Sequence, residues 1–422
     1  MIYVTRSLAA VVCVFVLPAA VSAQDSKGQG EKDQPHGLRL VWTHRPSLRA
    51  GDMLRVDFRL KLQGDFREFS SEDDPPDTFA MSRRRIGIQG NFLKHFEYQV
   101  ERELKRDRAW RDVFLNFRYF RDVQIQAGKF KVPYSLDQLT GEVDQDFVYR
   151  SRLGELLAPG RDIGVMVHGS VLHRALGYQG GVFRHDGDNA TFGDNPGAGR
   201  TIAGRVTSMP VRPFAKDSPL AELTLGLAMT WGDVPEGLNA LRGLSIWDTR
   251  FSSDVYVKGR RQRLGVEESW EPGPFSLKSE YARVSDERLG QGLLDVDLPP
   301  LVWQGWYVAG AWVVTGEKRA GGVDPHRPLF QGGVGAIEAA GRYDHLEAGS
   351  HAPGEPPETN PRAVKFVGNG EGIWTIGVNW YVNRWVKIQL NGIRETFDDI
   401  DRSPRPGRDT FMTGVCRLQF VL

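Results

Sequence analysis

Apolar and polar residues alternate along most of this chain, and that period of two constrains its fold more than any other feature. Leu54, Val56, Phe58, Leu60 and Leu62 alternate with Arg55, Asp57, Arg59, Lys61 and Gln63. Phe96, Tyr98 and Val100 alternate with Glu97, Gln99 and Glu101, and Trp374, Ile376, Val378 and Trp380 with Thr375, Gly377 and Asn379. In a strand, successive side chains point to opposite faces, so each such segment has one greasy and one polar or charged face. About 16 segments of this kind can be counted, give or take two. Turn clusters such as Asp73-Asp74-Pro75-Pro76 and Pro353-Gly354-Glu355-Pro356-Pro357 separate them. Helical periodicity is weak throughout, and no run approaches the roughly 18 apolar residues of a spanning helix.

Two architectures suit many alternating strands. A soluble sandwich or propeller turns its apolar faces inward. A transmembrane β-barrel turns them to lipid and lines its lumen with the polar faces. Segments of about 8–12 residues match a tilted strand crossing a bilayer. Aromatic residues crowd the segment ends, as at Phe117, Tyr119 and Phe120 or Trp380, Tyr381 and Trp385, where interfacial girdles would lie. Cys416, Leu418, Phe420 and Leu422 keep the alternation to the last residue. The reading is therefore all-β: a transmembrane antiparallel barrel of about 16 strands.

Residues 1–23 read as a secretory signal: Arg6, an apolar core from Leu8 to Leu17, and the small residues Val21-Ser22-Ala23. Residues 24–50 read as a polar N-terminal lead-in and 51–422 as the barrel. Of the two cysteines, Cys13 would leave with the signal, so Cys416 has no partner for an internal disulfide. The whole chain carries 54 Lys+Arg against 53 Asp+Glu, a net charge of +1. Such a balance gives no argument for nucleic acid, which calls for a basic excess. Aromatic content of 10% argues against disorder.

Four stretches carry a resemblance. They are Arg83-Arg84-Arg85-Ile86-Gly87-Ile88-Gln89-Gly90, the block from Val123 to Thr140 around Ala127-Gly128-Lys129-Phe130-Lys131-Val132-Pro133-Tyr134, the segment Leu157-Ala158-Pro159-Gly160-Arg161-Asp162-Ile163-Gly164-Val165, and the short pair Thr315-Gly316-Glu317 and Gly335-Ala336-Ile337-Glu338. In these the sequence resembles the phosphate-selective porin O and P family. The resemblance implies a 16-stranded barrel in the outer membrane of a Gram-negative type of cell, usually trimeric, set among lipid and lipopolysaccharide and admitting small anions such as phosphate or polyphosphate. It also implies that the segment of about 30 residues from Lys131 to Arg161, long for a compact barrel, folds into the lumen and narrows it.

A pore works by placing charge along a narrow path. The loop offers Lys131, Arg150, Arg152 and Arg161, with Lys129 at its root. Such cations can replace an anion's water with charge-assisted hydrogen bonds. The loop's carboxylates, among them Asp137, Glu142, Asp144 and Asp146, could tie it to the wall. Strand cations form a second set. With Ile86 and Ile88 outward, Arg83 and Arg85 face inward, on the strand that matches the family's arginine ladder. Arg55, Arg59 and Lys61 share a face with Asp57, and Arg261 and Arg263 flank Gln262 on another wall.

Rival readings have less to stand on. A general, weakly selective porin fits the balanced charge. A barrel hydrolase would need a nucleophile beside a base; Ser135 and His95 can be named, but neither lies in a Gly-x-Ser-x-Gly elbow. A non-conducting adhesive barrel is the third. His168, His173, His185, Asp186 and Asp188 lie close in sequence without the spacing of a metal site. Asp186-Gly187-Asp188-Asn189 lacks the distal glutamate of a calcium loop. The expectation is a passive pore without catalytic residues, metal or cofactor.

Overall fold

The structure, a computed structural model, describes residues 37–69, 78–104, 110–188, 199–349, 362, 366 and 368–422. The segment read as a signal lies outside the described residues. The strands are β1 (Leu38–Trp42), β2 (Pro46–Ala50), β3 (Leu54–Phe69), β4 (Thr78–Phe92), β5 (Phe96–Glu103), β6 (Trp110–Phe117), β7 (Gln124–Lys131), β8 (Arg161–Val171), β9 (Leu176–Phe183), β10 (Thr201–Ser208), β11 (Thr224–Gly237), β12 (Val257–Trp270), β13 (Phe275–Arg288), β14 (Leu298–Val313), β15 (Ala336–Gly349), β16 (Gly370–Tyr381), β17 (Val386–Phe397) and β18 (Thr410–Val421). From β3 to β18 each pairs antiparallel with the next, and β18 pairs back onto β3, closing a barrel of 16 strands. The seam ends in a reciprocal pair: Leu422 N donates to Leu60 O (2.8 Å) and Leu60 N to Leu422 O (3.3 Å). Closure leaves β3 and β18 without a free sheet edge, as a wall in hydrocarbon requires.

The alternation sorts residues as expected. On β3, Phe58 and Phe66 are exposed while Asp57, Lys61, Gln63 and Asp65 are buried inside. On β11, Leu227, Met229 and Trp231 face out and Ala228 and Thr230 face in. On the outer wall Trp306, Tyr343 and Trp374 form an aromatic row across β14–β16, with ring centroids 5.4 and 4.8 Å apart. Phe275 and Trp312 stack toward the other end of the wall. Exposed aromatic rings at separate heights on an apolar outer wall suit a barrel facing lipid.

Two rims follow from the topology. The proximal rim carries the start of β3, the end of β18 and short turns such as 93–95, 172–175, 271–274 and 382–385; the distal rim carries longer loops such as 238–256. The segment read as a lead-in differs from that description in its second half. Residues 38–50 form the hairpin β1–β2, which pairs with the first residues of β3 below the point where β18 ends. Its turn is pinned by Trp385, whose Nε1 donates to His44 O (2.9 Å).

Candidate functional site

The segment between β7 and β8 leaves the distal rim and folds deep into the lumen. It begins with a short helix, α1 (Leu136–Leu139). The Glu280 carboxylate accepts from the backbone N–H of Leu136 (2.9 Å) and Asp137 (2.6 Å), and the Ser135 hydroxyl accepts from Gln138 N (3.2 Å). At the other end Lys131 Nζ donates to Leu139 O (3.2 Å) and Thr140 O (3.0 Å). A carboxylate and an ammonium thus satisfy the orphan groups at the two helix ends. Gly128, just before the loop, has φ +130°, and a Cβ there would lie 2.2 Å from Val113 O, so only glycine fits.

Backbone inside a lumen has polar groups that must find partners. Here the wall supplies them. Lys387 Nζ donates to Val143 O (3.1 Å) and Gln145 O (2.8 Å), Asn379 Nδ2 to Asp146 O (2.8 Å) and Arg417 Nη1 to Val148 O (2.8 Å). Arg342 serves Tyr149 O and Arg150 O (both 3.1 Å), and Arg263 Nε serves Leu157 O (2.7 Å). On the side of β11–β18, Tyr134, Leu153, Leu156 and Leu157 of the loop pack with Leu241 and Phe251 of the 238–256 loop against Val284, Leu301, Trp303, Phe397 and Phe411. That side of the lumen is filled with an apolar core.

The space left lies between the loop and the wall of β3, β4 and β6: a cavity of about 520 Å³. Nine arginines line it (67, 83, 85, 111, 150, 152, 161, 242 and 417) against six carboxylates (Asp65, Glu103, Glu142, Glu155, Asp188 and Asp248), a surplus of three positive charges. Five of the nine are paired with carboxylates or hold backbone carbonyls. Arg85 meets Glu103 (2.7 Å), Glu142 (3.0 Å) and Glu101 (3.5 Å); Arg161 meets Asp112 (3.0 Å) and Glu142 (3.7 Å); Arg417 meets Asp65 (2.6 Å). Arg152 pairs with Glu371 (3.4 Å) and donates to Leu244 O. Arg150 donates to Thr140 O (2.8 Å) and Asp137 O. Among the described residues, Arg67, Arg83 and Arg111 form no ion pair. Arg83 donates to the neutral Gln63 (2.7 Å), and Arg67 lies over the Tyr149 ring, 5.5 Å from its centroid.

Of the cations singled out in the sequence, the structure thus brings Arg83, Arg85, Arg150, Arg152 and Arg161 to one cavity. Lys61 (2.9 Å) and Arg59 (3.6 Å) share Glu101 on the same wall, and Arg59 also donates to Gln89 (2.6 Å). Lys131 caps α1. Lys129 stands apart: it is in register with Val113 and Ile163, the latter 50% exposed on the outer face, and its amine meets Asp188 at 3.5 Å. Arg261 and Arg263 face inward as expected but converge on Asp186, with Arg261 also on Asp286 (2.5 Å). His168 Nε2 lies 3.0 Å from Asn116 Oδ1. Ser135 is buried within the loop, whereas His95 packs on Tyr119 in a proximal turn, so the pair a hydrolase would need is not assembled.

Four lining arginines went unnamed in the sequence reading. Arg67 and Arg417 continue the inward alternation of β3 and β18, a signal that was available. Arg111 follows a register shift between Val100 and Arg102 that breaks the simple alternation. Arg242 sits in a loop, where no periodicity reports the direction of a side chain.

Glu142 is the electrostatic hinge of the loop. Burial alone would raise its carboxyl, but Arg85, Arg161, Lys131 and Arg83 outweigh burial and hold it well below the usual carboxylate range. A depressed carboxylate contributes stability that is intact above its unfolded value, near 4.5, and is lost only as pH falls through the lower folded value. The contribution of Glu142 to loop docking is therefore constant from neutrality down to about 4.5 and weakens below it. Glu142→Gln removes the anchor at any pH. Breaking a buried pair from one side costs about 3–5 kcal/mol, so the variant should show at pH 7 the unsteady current that the parent shows only in strong acid. Steady current from the variant at both pH values would contradict this role.

A model of the family described as phosphate-selective porin O and P matches residues 56–422. An uncharacterised protein of Caulobacter vibrioides is 24% identical over 413 residues, 89% of this chain and 75% of that one. Porin O of Pseudomonas aeruginosa is 29% identical over 163 residues, 37% of this chain and 34% of that one. Among solved structures, the in-vitro folded outer membrane protein OmpT of Vibrio cholerae aligns with a TM-score of 0.56 at 12% identity, over 87% of this chain and 97% of that one. The outer membrane channel DcaP of Acinetobacter baumannii gives 0.52 at 8%, over 87% and 97%. These two likenesses show the fold; the family match, running from β3 to the end of the chain, shows more: the chain belongs to the phosphate-selective porin O and P family.

Proposed function

We propose that this porin is a passive diffusion channel for small anions, with the arginine-lined cavity as its filter. Family and barrel together support an outer-membrane channel. The anion preference rests on one observation: the cavity beside the loop carries a surplus of three positive charges, and three of its arginines have no carboxylate partner among the described residues. An anion there feels close cations across a partly desolvated path, where salt screens them incompletely. Guanidinium groups also bind two oxygens of a tetrahedral phosphate at once through paired N–H donors, which supports phosphate as one permeant or blocking ion. The short proximal turns would face the periplasm and the long distal loops the exterior. The outer face is suited to lipid and lipopolysaccharide. A homotrimer is part of the proposal, since a neighbour of the same fold, OmpT of Vibrio cholerae, has been solved in a trimer form. We assign the chain no catalytic role, and export by residues 1–23 completes the reading.

Phosphate added to a chloride-filled bilayer chamber tests the finer part. The expected result is a concentration-dependent drop in chloride current, lost in Arg83→Ala/Arg111→Ala. Unchanged chloride current at millimolar phosphate would favour a general anion pore without a phosphate site.

A further inference from the structure

The motifs Thr315-Gly316-Glu317 and Gly335-Ala336-Ile337-Glu338 bracket a proximal turn, 314–335, that is far longer than the turns beside it. The first motif folds the turn on itself. The Glu317 carboxylate takes the Thr315 hydroxyl and the His326 N–H (3.2 Å), and Thr315 Oγ1 accepts from Ile337 N (3.1 Å). The second motif closes it. Gly335 has φ +82°, and a Cβ there would lie 2.3 Å from Tyr381 O. Between them, Arg319 N donates to Gly273 O (2.8 Å), and the Arg319 side chain is buried inside the barrel.

That guanidinium forms an ion pair with Asp146 of the constriction loop and lies 3.1 Å, through Nε, from Glu338 at the start of β15. Glu338 is itself fixed, accepting from Asn379 (2.6 Å) and Tyr381 (3.3 Å). Asp146 also meets Lys278 at 3.3 Å. The loop enters from the distal rim, and Arg319 reaches it from the proximal one. The other polar contacts of residues 143–146 come from strand side chains or from within the loop, as in Gln145 Nε2 to Asp137 O (3.1 Å), whereas Arg319 reaches this stretch from a turn and also donates to Asp144 O (3.5 Å). It does not line the 520 Å³ cavity.

We infer that Arg319 is a positioning residue: a latch through which the proximal turn 314–335 sets where the constriction loop rests, and so how wide the anion path stands. The inference rests on the channel reading above and adds that the two rims are mechanically coupled. A planar guanidinium between two carboxylates, all buried, is well suited to the task because losing it leaves Glu338 without an ion-pair partner among the described residues and Asp146 with Lys278 alone.

Single-channel recordings on the full chain in planar bilayers test this. Arg319→Ala should leave the sign of ion selectivity unchanged but raise transitions to sublevels roughly tenfold or more, since breaking a buried pair shifts a local equilibrium by at least that factor. Arg319→Lys should restore part of the steadiness. A steady single level in folded Arg319→Ala would overturn the latch. Should Arg319→Ala yield no heat-modifiable barrel, Asp146→Asn removes the contact from the loop side and Lys278→Ala removes only the other partner of Asp146: sublevels in the first variant but not the second support the latch, and a steady level in Asp146→Asn, or equal sublevels in both, overturns it. A parent protein that folds and inserts but passes no current refutes the channel reading itself, a result distinct from a conducting parent with a steady variant.

Discussion

Arg83→Glu/Arg111→Glu should convert the channel from anion to cation preference. Each substitution changes the lining charge by two, so the pair moves it from a surplus of three positive charges to a deficit of one. Neither arginine forms an ion pair among the described residues, so the substitutions break no salt bridge there, and Arg83 acts on Glu142 only at longer range. In a KCl gradient the reversal potential should change sign. Arg283→Gln and Arg394→Gln, at exposed positions of β13 and β17 whose register places them on the outer wall, should leave it in place. Reversal without change of sign in a heat-modifiable double variant would mean that the charge setting selectivity lies elsewhere.

Excision of the loop should have the other large effect. Replacing residues 136–157 by a short Gly-Ser linker removes α1, the apolar residues Leu153, Leu156 and Leu157, and the carbonyls now held by Lys387, Arg342 and Arg417. Conductance should rise several-fold, because the loop and its apolar packing fill the side of the lumen against β11–β18. Selectivity should weaken, because ions in a wide aqueous lumen pass farther from wall charges and are screened within about 10 Å. Little change in conductance from a folded, inserted variant would show that the constriction is made by something other than this loop.

Much of the architecture was legible in the sequence because strand periodicity is a local property. The sidedness of Arg85, buried between Glu103 and Glu142, follows directly from Ile86 facing out. The Lys131–Arg161 loop was visible as a gap between two convincing strands. The allotment of its charges was not. Periodicity says that Arg263, Arg417 and Lys387 face inward, but not that they meet loop carbonyls more than 100 residues away in sequence. Those contacts depend on the path of an irregular loop, which no local pattern encodes. Lys129 combines both: its register with Ile163 starts it on the outer-facing side of the wall, while its amine reaches Asp188 of the cavity lining. The hairpin at 38–50 was read as a lead-in because its strands are only five residues long and it borrows its order from β3 and Trp385.

The balanced charge of the whole chain is also explained. Many lumenal cations are matched by neighbouring carboxylates, as in Arg261 with Asp186 and Asp286, Arg319 with Asp146 and Glu338, and Arg342 with Asp344. Selectivity therefore depends on a local surplus that global composition cannot report. The most direct test is the reversal potential of the parent protein in a planar bilayer across a KCl gradient. The account predicts a potential displaced toward the chloride equilibrium value. A potential displaced toward potassium, or none at all through a steadily conducting channel, would contradict it.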